Sequence, residues 1–352
     1  MTSAVPSSSP ATTFRVAGPA DLVAALPVLL GFRPRESLVL VSLGGRSGNR
    51  VGLTLRVDLP PPEQARAVAE HAVARLGAAD PDGAAVVVVT DSDRAPGRRD
   101  VARAAAAALE GDGVEVRAAV WAQRVEAGAR WACFGTCRCV GALPDPGTTP
   151  AVVAAVTTGQ VVHADRAELE RLVEPTDPVR VHRRDVAWLR PADGAAPGDQ
   201  QVSDAVHLAA VHAAVADAAA GSLVLDDERV LALAAALVRR PVRDAALVRC
   251  AQCSAELAAG LPHGCATEWA AAETLWAALC RELPDPEAAE AAAMLAATAL
   301  LRGDGALANV ALDRADRSRP GHRLAALLRT AATVPMGPVQ IRECLLGSGE
   351  LG

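Results

Sequence analysis

The sequence predicts a chain of two parts, an α/β region followed by an all-helical region. Short apolar runs that suit strands alternate with helical patterns over residues 14–191. From residue 203 to residue 348, every periodic segment repeats at helical spacing. Residues 192–202 between them contain ADGAAPGDQQ, which is typical of a linker. The length of 352 residues also suits two domains of ordinary size.

The α/β region is predicted to open with a helix after a short tail. Residues 1–13 have no basic cluster followed by an apolar run, so we expect a disordered tail rather than a secretory signal. Pro19 suits a first helical turn, leucines then recur at helical spacing, and Gly31 is a good C-terminal stop. These features predict a helix over residues 19–30.

Strands and helices then alternate along the chain. Residues 37–43 form a continuous apolar run, and residues 51–57 alternate between apolar and polar side chains, so the two predict a β-hairpin. Further strands are predicted at 84–90, 114–120 and 128–134, and helices at about 62–76 and up to residue 110. This alternation predicts a mixed, largely parallel sheet with flanking helices.

The second region is predicted to be a helical bundle. Acidic residues open the pattern over 226–240 and two arginines close it before Pro241, which complements the helix dipole and ends the helix. Residues 267–282 place two tryptophans and a cysteine on one stripe, which predicts a buried face.

One segment of this bundle resembles a tetratricopeptide unit. Residues 289–320 contain two helical patterns joined by a Gly-Asp-Gly turn at 303–305, with small residues where antiparallel helices would approach closely. Ala292 and Ala299 stand where aromatic residues are usual. Because a solenoid needs at least three such units, we predict a single tetratricopeptide-like hairpin within the bundle.

Composition excludes several classes of function. The net charge is −6 and the pI is near 5.7, so no nucleic-acid partner is expected. Lys is absent, which excludes a Walker phosphate loop. The sequence contains no long apolar segment free of charges, so no membrane span is predicted. Eight cysteines without a signal sequence are typical of reduced thiols in a cytoplasmic protein.

Four arginines cluster before the predicted linker. Arg180, Arg183, Arg184 and Arg190 lie within eleven residues of one another. The preferred interpretation is a solvated edge of a helix or linker, and anion binding is the alternative.

Three cysteines form a candidate metal site. Cys133, Cys137 and Cys139 follow a C-x3-C-x-C pattern beside a loop. Thiolates bind soft metals, and His163 is a candidate fourth ligand, so zinc is the cofactor that the pattern suggests. The alternative is a group of ordinary reduced thiols.

A second cysteine group is interpreted as core. Cys250, Cys253, His263 and Cys265 match C-x2-C-x9-H-x-C, a spacing compatible with metal binding. Cys250 and Cys253, however, continue an apolar stripe at helical spacing, and cysteine is among the most readily buried residues.

Carboxylates that follow strands form a third candidate site. Asp91 and Asp93 come directly after the strand predicted at 84–90, and Asp58 follows the one at 51–57. Ligands gather at the carboxyl ends of strands in open α/β sheets, and carboxylates could hold Mg²⁺ there. Ordinary loop chemistry is the preferred interpretation.

Four segments resemble an actinobacterial family known as domain of unknown function 4192. They are LLGFRPRESLVLVSL at 29–43, RVDLP at 56–60, VRDAAL at 242–247 and LLRGDGALANVALDRADRSRPGHRLAALL at 300–328. Members typically show a Cys followed by Cys-Cys-Pro, and RWACFGTCRCVGALPDPG at 130–147 is similar, with Arg138 separating the pair. The resemblance implies this two-part architecture and a cytoplasmic setting, but no reaction.

The leading functional prediction is a non-catalytic protein whose helical region, alone or together with the α/β region, contacts a protein partner. It rests on the tetratricopeptide-like hairpin and on the lack of a nucleophile, base or phosphate-loop signature. One alternative is an α/β enzyme or small-ligand-binding domain that uses the strand-end carboxylates. The other is a thiol-metal sensor built on the three clustered cysteines.

Overall fold

The protein folds into two compact units that divide between Glu168 and Leu169. The structure, a computed structural model, describes residues 18–44, 50–77, 80–92, 95–152, 161–188, 200–260, 264–333 and 337–347. The predicted tail at 1–13 lies outside the described residues, as does most of the predicted linker at 192–202.

The first unit, called here the α/β unit, contains a six-stranded sheet. Its strands are β1 (Ser37–Gly44), β2 (Arg50–Asp58), β3 (Gly83–Val89), β4 (Glu115–Ala122), β5 (Arg130–Cys133) and β6 (Val140–Ala142). Its helices include α1 (Pro19–Leu30), α2 (Ala65–Gly77) and α3 (Arg99–Gly111). In space the strands follow the order β2-β1-β3-β4-β5-β6. The predicted hairpin is confirmed, because β1 and β2 pair antiparallel.

The sheet is mixed, as predicted, but the prediction that it is largely parallel is wrong. Among the described strands only β3 and β4 pair in parallel, and the other four pairs are antiparallel. Short connections join β4 to β5 and β5 to β6. Because a short connection reverses the chain direction, the strands it joins pair antiparallel. Helix α2 returns β3 parallel to β2, but β1 lies between these two strands and runs against both.

Helices cover the central strands. Strands β1 and β3 are buried along their length, as their continuous apolar runs predict. Leu38, Leu40, Val86 and Val88 pack with α2 and α3 in one hydrophobic core. Helix α1, whose apolar side is also buried, contacts β2 and β4. Strand β6 is exposed throughout, so this edge of the sheet is open to solvent.

The second unit, called here the helical unit, contains only helices among its described elements. Helix α4 (Arg166–Arg171) crosses the division between the units. The remaining helices are α5 (Pro178–Trp188), α6 (Gln200–Ala219), α7 (Asp227–Val238), α8 (Arg240–Ala258), α9 (Gly264–Glu282), α10 (Ala288–Arg302), α11 (Gly305–Ser318), α12 (Arg323–Thr333) and α13 (Pro338–Gly347). Helix α10 is buried from Ala288 through Leu301, since its Ala-rich sequence is apolar on nearly all sides, and the polar Glu290 and Thr298 are buried with it. None of the described helices combines the length and hydropathy needed to cross a bilayer.

Aspartates begin two of these helices, and the start at Asp226 is the one that the sequence predicts. Asp226 accepts a hydrogen bond from the Arg229 N–H at 2.8 Å, and Asp304 accepts one from the Leu307 N–H at 2.9 Å. Each satisfies a backbone donor that the first helical turn leaves unpaired. Gly303, at a φ of 83°, ends α10 in the left-handed conformation that favours glycine.

Within the arginine cluster, Arg184 differs from the predicted solvated edge, whereas Arg183 is exposed as predicted. Arg184 on α5 is 1% exposed, and its Nε donates to Asp227 at 2.8 Å while its Nη1 donates to the Glu282 carbonyl at 2.8 Å. Arg184 therefore anchors α5 to α7 and α9, which explains why residues 169–188 group with the helical unit. Arg190 lies outside the described residues.

Candidate functional site

A β-hairpin brings three cysteines together at the open edge of the sheet. Cys133 ends β5, and Cys139 directly precedes β6. The Cys133 N–H donates to the Cys139 carbonyl oxygen at 2.8 Å, so the two residues face each other at the base of the hairpin loop. Arg138 adopts a left-handed φ of 51°, which turns the chain between Cys137 and Cys139.

The three side chains converge. The sulfur atoms of Cys133, Cys137 and Cys139 all lie within 4.8 Å of one another. Tetrahedral zinc with Zn–S bonds of 2.3 Å holds its sulfur ligands roughly 3.8 Å apart. Small side-chain shifts would therefore let all three sulfurs bind one ion. Cys137 and Cys139 are exposed, so an ion could reach them from solvent.

The three thiols differ in acidity because each has different neighbours. The backbone N–H of Cys139 lowers the pKa of Cys137, and hydrogen bonds from the thiols of Cys139 and Cys133 lower it further. Burial raises the pKa of Cys133, and the hydrogen bond to Cys137 raises the pKa of Cys139. Cys137 is therefore the thiol that deprotonates first, and a thiolate is the form that binds metal and acts as a nucleophile.

A cavity of about 490 Å³ borders the thiols. All three cysteines line it, together with Phe134 and with Arg99, Arg103 and Arg117 from α3 and β4. The Arg99 guanidinium lies 5.9 Å from the centre of the Phe134 ring, within the range of a cation–π contact. Glu110 lines the same cavity.

His163 is not brought to the three cysteines. Its backbone pairs with Phe32, and its Nδ1 lies 3.7 Å from the Glu168 carboxylate. Within the described part of the chain, the metal-ligating group consists of the three cysteines without a fourth side chain. The fourth ligand of a tetrahedral ion would have to be water or another bound molecule.

The strand-end carboxylates lie at the carboxyl ends of β2 and β3 and are already bonded. Asp58 is ion-paired with Arg56, and Asp91 accepts a hydrogen bond from Gln123 at 2.8 Å. Asp93 lies outside the described residues. Among the described residues at these strand ends, the carboxylates form no group with the spacing of metal ligands. A ligand-binding role for these carboxylates stays a prediction.

The sequence analysis missed two side chains, Glu36 and Ser37, that hold these strand ends together by hydrogen bonds. The Glu36 carboxylate accepts hydrogen bonds from the Thr90 hydroxyl and the Asp91 N–H, both at 2.9 Å. The buried Ser37 hydroxyl accepts from Arg56 Nε at 2.8 Å, so it bridges strands and is not placed as a nucleophile. The available signal was a Glu-Ser pair at the start of a buried strand, where polar side chains need partners.

The second cysteine group is confirmed as core at Cys250 and Cys253. Both are buried on α8, and burial raises the pKa of Cys250 to about 11 and that of Cys253 to about 12. Cys265 on α9 contacts the Glu256 carboxylate, and His263 lies outside the described residues.

A family model described as a domain of unknown function (DUF4192) matches residues 19–339. The chain belongs to this family. The match to DUF4192 spans both units and includes the cysteine hairpin. No curated protein and no solved structure matches the chain. Because the family description assigns no reaction, function has to be argued from the geometry of this DUF4192 chain.

Proposed function

We propose that this DUF4192 protein is a thiol-metal sensor that binds one divalent cation through Cys133, Cys137 and Cys139, with zinc as the favoured ion. The observation that carries the proposal is that three sulfur atoms lie within 4.8 Å of one another at the loop end of one hairpin. Structural zinc sites are closed by four protein ligands. Three ligands at an exposed edge instead suit an ion that enters and leaves, which is what a sensor requires.

A reducing cytoplasmic setting, which the sequence predicts, supports this proposal. It would keep the thiols free of disulfides and available to metal. Cys137 contributes the most acidic thiol, and metal binding would displace the protons of Cys133 and Cys139. Metal affinity should therefore rise with pH.

Metal analysis of the purified chain tests the proposal. We expect one zinc ion per chain after equilibration with zinc and removal of the excess, and a tetrahedral thiolate spectrum when cobalt(II) replaces zinc. Cys137→Ser should weaken zinc binding by at least about tenfold, as loss of a metal-site residue does elsewhere. Zinc affinity is measured by competition with a chromophoric chelator.

Cys344→Ser is the matched control, because Cys344 is exposed but lies in α13. This variant should bind zinc like the wild type. Wild-type protein that retains no zinc against a weak chelator would rule out the site. Equal zinc affinities for the Cys137→Ser and Cys344→Ser variants would do the same.

A protein-interaction role for the helical unit is our second proposal. The tetratricopeptide-like spacing of α10 and α11 supports it, since Ala292, Ala299, Ala308 and Ala315 are buried where the two helices approach closely. Because α10 is buried, a partner would have to contact the outer helices, where Leu327 is 62% exposed. Leu327→Glu should weaken the capture of a specific partner, and unchanged capture would argue against this surface.

A further inference from the structure

A cavity of about 610 Å³ opens in the helical unit between α6, α8 and α9. Its walls are mainly apolar and include Val211, Val215, Ala216, Trp269, Ala272 and Trp276. Close-packed helices normally fill the space between them with side chains, whereas small alanines on facing helices leave this space open. Volumes of this size with aromatic and aliphatic walls are typical of small-molecule sites.

The charged groups in the cavity wall neutralise each other. Arg249 Nε donates to one Glu268 carboxylate oxygen at 2.8 Å, and its Nη2 donates at 2.5 Å to the other, which makes a bidentate pair. Glu256 also approaches Arg249, at 3.4 Å, and His212 lines the cavity near Glu268. A charged ligand would compete with this pair. A neutral polar group could share its donors and acceptors without breaking it.

We propose that this cavity binds a neutral amphipathic small molecule with an aromatic or branched apolar body and one polar end. The apolar walls contact the body, and the Arg249–Glu268 pair contacts the polar end. This site belongs to the helical unit, and it does not depend on the thiol site of the α/β unit.

Nile red, a neutral aromatic dye with a carbonyl oxygen, is a suitable probe. Titration of the full chain should give saturable binding of one dye, with energy transfer from tryptophan to the dye. Ala216→Trp would fill the mouth of the cavity and should lower the affinity for Nile red at least tenfold. Ala213→Trp is the matched control, because Ala213 is exposed on the same helix and does not line the cavity.

A second variant keeps the test decisive if Ala216→Trp does not fold. Ala219→Leu fills the same cavity from an exposed position near the end of α6 and should also weaken dye binding. Equal affinities for the wild type and the folded filling variants would overturn the proposal. Tighter binding of anilinonaphthalene sulfonate, an anionic dye, than of Nile red would overturn its claim of neutrality.

Discussion

The two units place the same residue type in opposite environments. In the α/β unit, Cys137 and Cys139 are exposed in a hairpin loop and lie beside the sulfur of Cys133. In the helical unit, Cys253 and Cys280 are 2% and 0% exposed. A hairpin at a sheet edge lifts side chains into solvent, whereas helical spacing on a packed face directs them into the core. Cysteine spacing therefore acquires chemical meaning only from the element that carries it.

Thiol alkylation should give the largest difference between the units. Burial raises the pKa of Cys280 to about 12, which lowers its thiolate fraction at neutral pH about a thousandfold from that of a thiol with a pKa of 9.0. Cys137, with its lowered pKa, should react with iodoacetamide at least about a thousandfold faster than Cys280. Mass spectrometry of peptides from timed samples measures both rates.

The pH dependence sharpens this prediction. Because its hydrogen bonds stabilise the thiolate, Cys137 should stay reactive at a lower pH than N-acetylcysteine. In guanidinium chloride the rates of Cys137 and Cys280 should become similar. Similar rates in the folded protein would contradict the contrast between the units.

The same substitution should also have unequal effects on stability. Cys280→Ser places a hydroxyl in the core and should lower the free energy of unfolding by about 1–3 kcal/mol. Cys139→Ser, at the exposed hairpin, should leave the free energy of unfolding almost unchanged. Urea denaturation of the two variants measures the difference.

Cys280→Ala serves as the control, because it removes the sulfur without introducing a hydroxyl. It should cost less than Cys280→Ser if desolvation of the polar group is the cause. Equal losses for Cys280→Ser and Cys139→Ser would show that the two environments do not differ energetically.

The smallest expected effect concerns the hairpin turn. Arg138 holds a left-handed φ of 51°, which costs a residue with a side chain about 1–2 kcal/mol. Arg138→Gly should relieve part of this strain and raise the free energy of unfolding by at most about 1 kcal/mol, because glycine also adds conformational entropy to the unfolded chain. Urea denaturation measures the change. Arg130→Gly in β5, where the backbone is extended, should bring no gain, and a lower stability of Arg138→Gly than of the wild type would contradict the strain at this turn.

Local elements of the fold could be predicted well from the sequence. The helix predicted at 19–30 is Pro19–Leu30, because proline, leucine spacing and Gly31 all act within a few residues. Asp226 begins its helix for the same reason. The burial of Cys250 and Cys253 also followed from a local helical stripe.

Relations between distant segments could not be predicted. The sheet is mainly antiparallel because β1 lies between β2 and β3, and nothing in the local pattern of these strands encodes that neighbour. Arg184 is buried because Asp227 and Glu282 come from two other helices. His163 fitted the cysteines by chemistry but pairs with Phe32 in space.

The sequence by itself determined where helices and strands occur, because periodicity and turn residues act over a few positions. It also indicated the three-cysteine group, since C-x3-C-x-C fits within one hairpin. Only the tertiary structure decided the strand order, the partners of the buried charges and the cavity beside Trp269. These depend on contacts between residues far apart in the chain, which form when apolar faces from several elements are buried together.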